Sequence, residues 1–200
     1  MLPKQIQQFI EIFSKLPAIG PRMARRLAIY LITLDDETYH NIEKTITDLK
    51  NIDHCPRCFF IKNKENKLCQ ICSKKERDKQ IIAIVEKETD VLSLEKTSNY
   101  KGTYFIIGPS NGTGPLTKNQ KIKIKHLINL LEKAPNKKIE EIIVATNPNS
   151  HGDYIAGIIK KECKKYAKKI TRLGRGLPTG GEIEFADQET LSKALEHRGE

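Results

Sequence analysis

Residues 81–86 read Ile-Ile-Ala-Ile-Val-Glu, and residues 141–149 read Glu-Ile-Ile-Val-Ala-Thr-Asn-Pro-Asn. Each is a short, nearly unbroken apolar run that stops at polar residues. A strand covered on both faces needs such a run, because both alternating sets of side chains meet core; a half-exposed strand would alternate apolar with polar. The intervening sequence fits a crossover pattern. Residues 89–97 suit a helix, 103–107 a second strand, 119–133 a long helix, 154–167 another helix and 169–173 a short fourth strand. Strands that alternate with helices are joined by crossovers, and crossovers make parallel sheets. The expectation is an α/β domain over residues 79–173 with a mostly parallel sheet. Glu86, Asn147, Asn149 and Asp153 then lie just past strand ends, where open α/β sheets hold ligands and catalytic groups.

Outward on the amino side, residues 53–76 lose all apolar periodicity and carry Cys55-Pro-Arg-Cys58 and Cys69-Gln-Ile-Cys72. Two intervening residues let both thiolates of a pair face one ion. Two pairs, ten residues apart, complete a closed tetrahedral site with no open position for a substrate. One structural Zn²⁺ per chain on Cys55, Cys58, Cys69 and Cys72 is the expectation, in a knuckle rather than a packed element. A pair of redox dithiols is the weaker reading. His54 adjoins the site but four thiolates suffice, so it reads as a neighbour. The fifth cysteine, Cys163, lies in a lysine-rich helix and reads as small core packing.

Further out, residues 1–52 are helical. Ile6, Phe9, Ile10 and Phe13 fall at helical spacing. After a break at Pro17-Ala18-Ile19-Gly20-Pro21, the apolar stripe is Met23, Leu27, Tyr30 and Leu31. A third helix runs from about Asp36, its expected N-cap, to Leu49. In the hairpin, Gly20 supplies unusual backbone angles and Pro21 suits the first helical turn. The free N–H groups behind Pro21 can receive a phosphate, with Arg22, Arg25 and Arg26 beside the same track. The bland reading is a helical hairpin with a solvated basic face.

The net charge of +10 in 200 residues, with a pI near 9.3, favours a polyanionic partner through phosphate neutralisation. No run of about 18 apolar residues exists, so no membrane span is expected, and the amino terminus lacks the apolar core of a signal peptide. A cytoplasmic protein with reduced cysteines follows, in which paired cysteines mean metal. The run from Lys160 to Arg175 holds eight Lys/Arg against Glu162. A solvated helix face is its default reading; in a ring-shaped assembly it could line DNA.

The Leu16–Ala28 segment resembles the helix-hairpin-helix motif of many DNA-binding proteins, except that the first glycine of that hairpin is Ala18 here. The strand ends resemble the Toprim fold of topoisomerases, primases and some nucleases. In catalytic Toprim proteins a glutamate after the first strand and an Asp-x-Asp pair after the third hold magnesium. Glu86 matches that glutamate, but Asn147 and Asn149 replace both aspartates. Two neutral amides do not supply the charge that Mg²⁺ on phosphate chemistry needs, so catalysis is not expected. Asp153 reads as a cap of the next helix, or a weak ion site. Gly176–Gly181 has the spacing of a phosphate loop, but Glu182 stands where its lysine would be, so the loop reads as tight turns.

Taken together, LPAIGPRMARRLA (16–28), CPRC…CQIC, ATNP (145–148) and TRLGRGLPTGGEIEFADQETLSKALEHR (171–198) resemble the RecR family of recombination mediators along essentially the whole chain. The resemblance implies a helix-hairpin-helix domain (1–52), a zinc finger (53–76), a Toprim domain (79–173) and a glycine-rich tail with a closing helix (174–200) for assembly. It implies a non-enzymatic protein that binds DNA without reading sequence, through Gly20, Arg22, Arg25 and Arg26. It also implies work with RecO, and RecF where present, to load RecA on single-stranded DNA coated by SSB, from a ring that is typically a homotetramer. Two departures are visible. His151 and Asp153 stand where the family usually has glutamates, and the loop Gly108–Pro115 is shorter. The competing expectation is a Mg²⁺-dependent Toprim enzyme acting on DNA; a free-standing zinc module would leave the α/β segment without a role.

Overall fold

The computed structural model describes residues 2–109, 114–134, 138–196 and 198. Residues 110–113 of the Gly108–Pro115 loop lie outside the described residues. The chain forms two compact units, Met1–Ile52 and Asp53–Glu200.

In the first unit, α1 (Lys4–Phe13), α2 (Pro21–Ile32) and α3 (Asp36–Asp48) follow one another, and α1 packs on α2. The stripe expected on α2 is not what is buried. Met23 and Tyr30 are exposed, and Ala24 and Ala28 form the buried line, because small side chains admit the neighbouring helix closely. The cap of α3 is Asp35 rather than Asp36. Its carboxylate accepts the Thr38 N–H at 2.8 Å, and that bond holds its pKa below the usual carboxylate range.

The second unit opens with a two-stranded ribbon, β1 (Ile52–His54) and β2 (Ile61–Asn63), and the short α4 (Gln70–Ser73). A four-stranded parallel sheet follows: β3 (Asp78–Val85), β4 (Gly102–Ile106), β5 (Ile139–Val144) and β6 (Ala167–Arg172), in the order β4-β3-β5-β6. The crossovers are α5 (Glu88–Lys96), α6 (Lys118–Glu132) and α7 (Ser150–Cys163), and α8 (Gln188–Glu196) follows the glycine-rich loop. Mixed α/β architecture with a parallel sheet is what the apolar runs required. The chain steps outward from β3 to β4 on one side and from β5 to β6 on the other. The switch point therefore lies between β3 and β5, and its crevice opens at their carboxyl ends.

Two elements differ from expectation. The last crossover helix starts at Ser150, four residues early, because Asn149 caps it by accepting the Gly152 N–H at 2.8 Å. It ends at Cys163, because Ala167 already belongs to β6 and the Tyr166 carbonyl accepts the Ile139 N–H at 2.9 Å.

The sheet is covered on both faces. Ile84, Phe105, Ile107, Ile142 and Val144 pack with Ile124, Leu127 and Leu131 of α6 and Ile155, Ile159 and Cys163 of α7. Ala83, Val85, Tyr104 and Ile106 face Val91 of α5 and all four cysteines of the 55–72 segment. That segment is thus packed against the sheet, contrary to the expectation of an unpacked knuckle. The Cys58 carbonyl accepts the Ile106 N–H at 2.9 Å, continuing the hydrogen bonding beyond β4. Among the described residues no helix is long and apolar enough to cross a membrane.

Candidate functional site

Cys55, Cys58, Cys69 and Cys72 are all buried, with their sulfurs within 4.8 Å of one another. Four thiolates about 2.3 Å from one zinc ion would stand about 3.8 Å apart. The arrangement therefore suits a tetrahedral four-sulfur ion site. The local fold supplies the ligand geometry. The Phe60 N–H points at Cys58 Sγ and the Cys72 N–H at Cys69 Sγ, each at 3.4 Å, as amides do around bound thiolates. The sulfurs are crowded, with Cys58 Sγ and Cys69 Sγ 3.5 Å apart. The neighbouring Cys58 thiol pulls the Cys69 pKa far down, while the Cys69 sulfur pushes Cys58 far up. Four cysteine sulfurs gathered in this way are a donor set that suits a thiophilic metal ion. His54 stands aside, with Nε2 3.6 Å from the Glu88 carboxylate. Cys163 sits in the sheet core, where burial pushes its thiol up to about 12 and makes it a poor nucleophile.

In the helical hairpin, Ala18 occupies the left-handed region at φ 62°, where the helix-hairpin-helix pattern has its first glycine. Gly20, expected to supply the unusual angles, is extended at φ −85° and ψ 172°. Its missing side chain leaves open space, with nothing within 4 Å of where a Cβ would be. Pro21 opens α2, and Gly20 provides no side-chain cap. Arg22, Arg25 and Arg26 fall one turn apart on one face of α2, all exposed. An uncapped helix start, an open approach and three guanidinium groups form a surface suited to phosphate.

At the switch point, Glu86 is buried and its Oε1 accepts the Asn147 N–H at 2.8 Å, bracing the end of β3 to the end of β5. Asn149 is committed to capping α7. Asp153 does not cap α7; it pairs with Arg172 and Arg175. Arg172 also donates to Thr146 Oγ1 at 3.4 Å, and the Thr146 hydroxyl donates to the Gly152 carbonyl at 3.1 Å. Gly152 is required here, because a Cβ would come 1.9 Å from the Asn147 carbonyl oxygen. Burial, and then the Arg175 charge, lower the Arg172 pKa. The loop thus offers one braced carboxylate, two amides and a carboxylate held by two arginines. Sequence reasoning missed Arg172 and Arg175 as partners of Asp153. Their position at and just past the end of β6, beside the loop after β5, was the available signal. The glycine-rich loop is a tight turn as expected, with Gly180 at φ 83° and the Gly181 N–H bonded to the Pro178 carbonyl at 3.0 Å.

A basic helical hairpin, a four-cysteine centre and a Toprim-type switch point together define a multi-module protein of the Toprim class. Known families match in the same order. The RecR helix-hairpin-helix family covers residues 6–50, the Toprim domain family 80–174 and the RecR C-terminal family 176–198. Recombination protein RecR of Chloroherpeton thalassium is 37% identical over 98% of this chain and 96% of its own length. Recombination protein RecR of Staphylococcus aureus strain Newman is 38% identical over 99% and 98%. The chain belongs to the RecR family, and a role in DNA recombination and repair fits that membership.

Proposed function

We propose that this chain is a non-enzymatic mediator of recombinational repair that binds DNA through its backbone. In this reading Gly20, Arg22, Arg25 and Arg26 contact phosphates. Cys55, Cys58, Cys69 and Cys72 hold one structural Zn²⁺ that staples residues 53–76 to the sheet. The protein works in the cytoplasm with RecO, and RecF where present, to promote RecA loading on SSB-coated single strands. The observation that carries the non-enzymatic reading is the switch-point loop. Asn147 and Asn149 are neutral, Asn149 is occupied as a helix cap, and Asp153 is held by two arginines. A magnesium site for phosphate chemistry needs several free carboxylate oxygens.

A homo-oligomer, probed as a tetrameric ring, is part of the proposal. Among the described residues, the first unit buries only Ala24 and Ala28 of its hydrophobic side chains, while Ile12, Ile29, Tyr30, Ile32, Ile46 and Leu49 are exposed. A helical unit of about 50 residues does not support itself on two alanines. Ile183, Phe185 and Leu195 in the tail are exposed as well, at 67, 80 and 65%. Apolar exposure of this size calls for a partner surface, and a second copy supplies one.

The test is a duplex-binding and cleavage assay on the zinc-loaded protein. Sequence-independent, salt-sensitive binding with intact DNA in Mg²⁺ is expected. Mg²⁺-dependent nicking that Glu86→Gln abolishes would establish the Toprim enzyme instead.

A further inference from the structure

The eight cations between Lys160 and Arg175 divide into two groups. Lys168 pairs with Glu140 and Lys169 with Glu141, while Arg172 and Arg175 share Asp153. Lys160, Lys161, Lys164 and Lys165 have no carboxylate within ion-pair distance among the described residues. All four are exposed. Lys161, Lys164 and Lys165 meet Lys138, at the start of β5, around a shallow concavity of about 600 Å³ whose one acidic member is Glu162. Glu132, the other nearby carboxylate, accepts a hydrogen bond from the Tyr166 hydroxyl.

This arrangement opposes itself. Lys160 and the C-cap Lys164 stand about one helical turn apart, where like charges repel, and Lys165 follows in the turn beyond the helix. The carboxyl end of α7 favours a cation through its dipole, but that effect is confined to the last turn and is satisfied by one or two charges. The concentration of lysines exceeds what the helix end requires. The scaffold beneath is fixed, since the Tyr166 carbonyl accepts the Ile139 N–H at 2.9 Å and the Tyr166 N–H reaches the Cys163 carbonyl at 2.9 Å. Lys165 lies over the Tyr166 ring at 4.7 Å, but that ring is buried and so closed to a stacking base. A concave surface on which lysines outnumber carboxylates suits a phosphate backbone and reads no sequence.

We infer that Lys138, Lys160, Lys161, Lys164 and Lys165 form a second nucleic-acid backbone contact, separate from the arginines of the helical hairpin. The inference rests on the DNA-binding reading above. It predicts that the chain's DNA affinity falls with salt more steeply than the hairpin alone accounts for.

The experiment compares the salt dependence of binding to a mixed-sequence duplex for four zinc-loaded proteins of equal native mass. They are the wild type; Lys161→Gln with Lys164→Gln and Lys165→Gln; Arg22→Gln with Arg25→Gln and Arg26→Gln; and a control, Lys96→Gln with Lys101→Gln and Lys118→Gln. Each phosphate contact contributes about 0.9 to the slope of log affinity against log salt, so the lysine triple lowers the slope by up to about 2.7. The hairpin triple lowers it independently, and the control leaves it unchanged. A wild-type slope in the lysine triple overturns the second contact while leaving the hairpin reading intact. An equal drop in the control reduces the effect to overall charge and also overturns it. A wild type that binds no duplex at low salt removes the DNA reading and this inference together.

Discussion

Replacing Ala18 with glycine should stabilise the protein, although it deletes a side chain from a helical hairpin. Ala18 sits at φ 62°. An L-residue there brings its Cβ against its own backbone, which costs about 1–2 kcal/mol. Glycine removes that clash but gains freedom in the unfolded chain, which takes back about 0.4–1 kcal/mol. Ala18 is exposed, so no buried contact is lost. The balance is a gain of about 0.5–1 kcal/mol, and each kcal/mol moves Tm by about 2–4 °C in a chain of this size. Urea and thermal melts followed by far-UV circular dichroism measure it. Amide exchange at residues 4–48 locates the gain in the first unit. A loss of stability of comparable size would show that Ala18 is not left-handed in solution and would refute the reasoning about the hairpin.

Other expectations can be checked directly. Cys55→Ser or Cys72→Ser should lose the metal and most soluble protein, because a structural zinc contributes on the order of 10 kcal/mol to folding; unchanged zinc content by mass spectrometry would contradict the four-sulfur site. Gly152→Ala should destabilise by at least the ~1–3 kcal/mol of an overpacked contact, since its Cβ meets the Asn147 carbonyl at 1.9 Å; a neutral denaturant midpoint would show that the loop sits elsewhere. Arg22→Glu with Arg26→Glu should weaken duplex binding while native mass stays constant; normal low-salt affinity would move the DNA path off the hairpin. Glu95 gives a pH expectation. Burial opposes its ionisation, but hydrogen bonds from Arg77 and the Tyr104 hydroxyl outweigh that and lower its pKa. A carboxylate whose folded pKa is depressed stabilises the fold above its unfolded pKa, and the contribution is lost as pH falls through the folded value. Glu95→Gln should therefore destabilise near neutrality and flatten the acid side of the stability profile; an unchanged acid limb would contradict the assignment.

Much of the fold was legible because its signals are local. Apolar runs covered on both faces announced the parallel sheet, and paired CxxC spacing announced the sulfur site before any geometry. What escaped sequence reading depends on contacts distant along the chain. Residues 53–76 carry no period, yet Phe60 and Ile71 join Tyr104 and Ile106 in one cluster across the sheet face. Phe59, itself at φ 64°, packs edge-on against Phe105 at 5.5 Å. Nothing in that segment's composition reveals this docking. On α2, hydropathy pointed to Met23 and Tyr30, but close helix approach selected Ala24 and Ala28. Asn147 and Asn149 were readable as neutral amides in the loop after β5. The pairing of Asp153 with Arg172 and Arg175 was not, since it joins the first turn of α7 to the end of β6 and the loop beyond it.

The most direct test of the account is the native mass of the purified protein, measured with its zinc content, with and without a DNA duplex. The account predicts a tetramer carrying one zinc per chain that shifts on binding duplex. A zinc-free monomer that ignores DNA would contradict it.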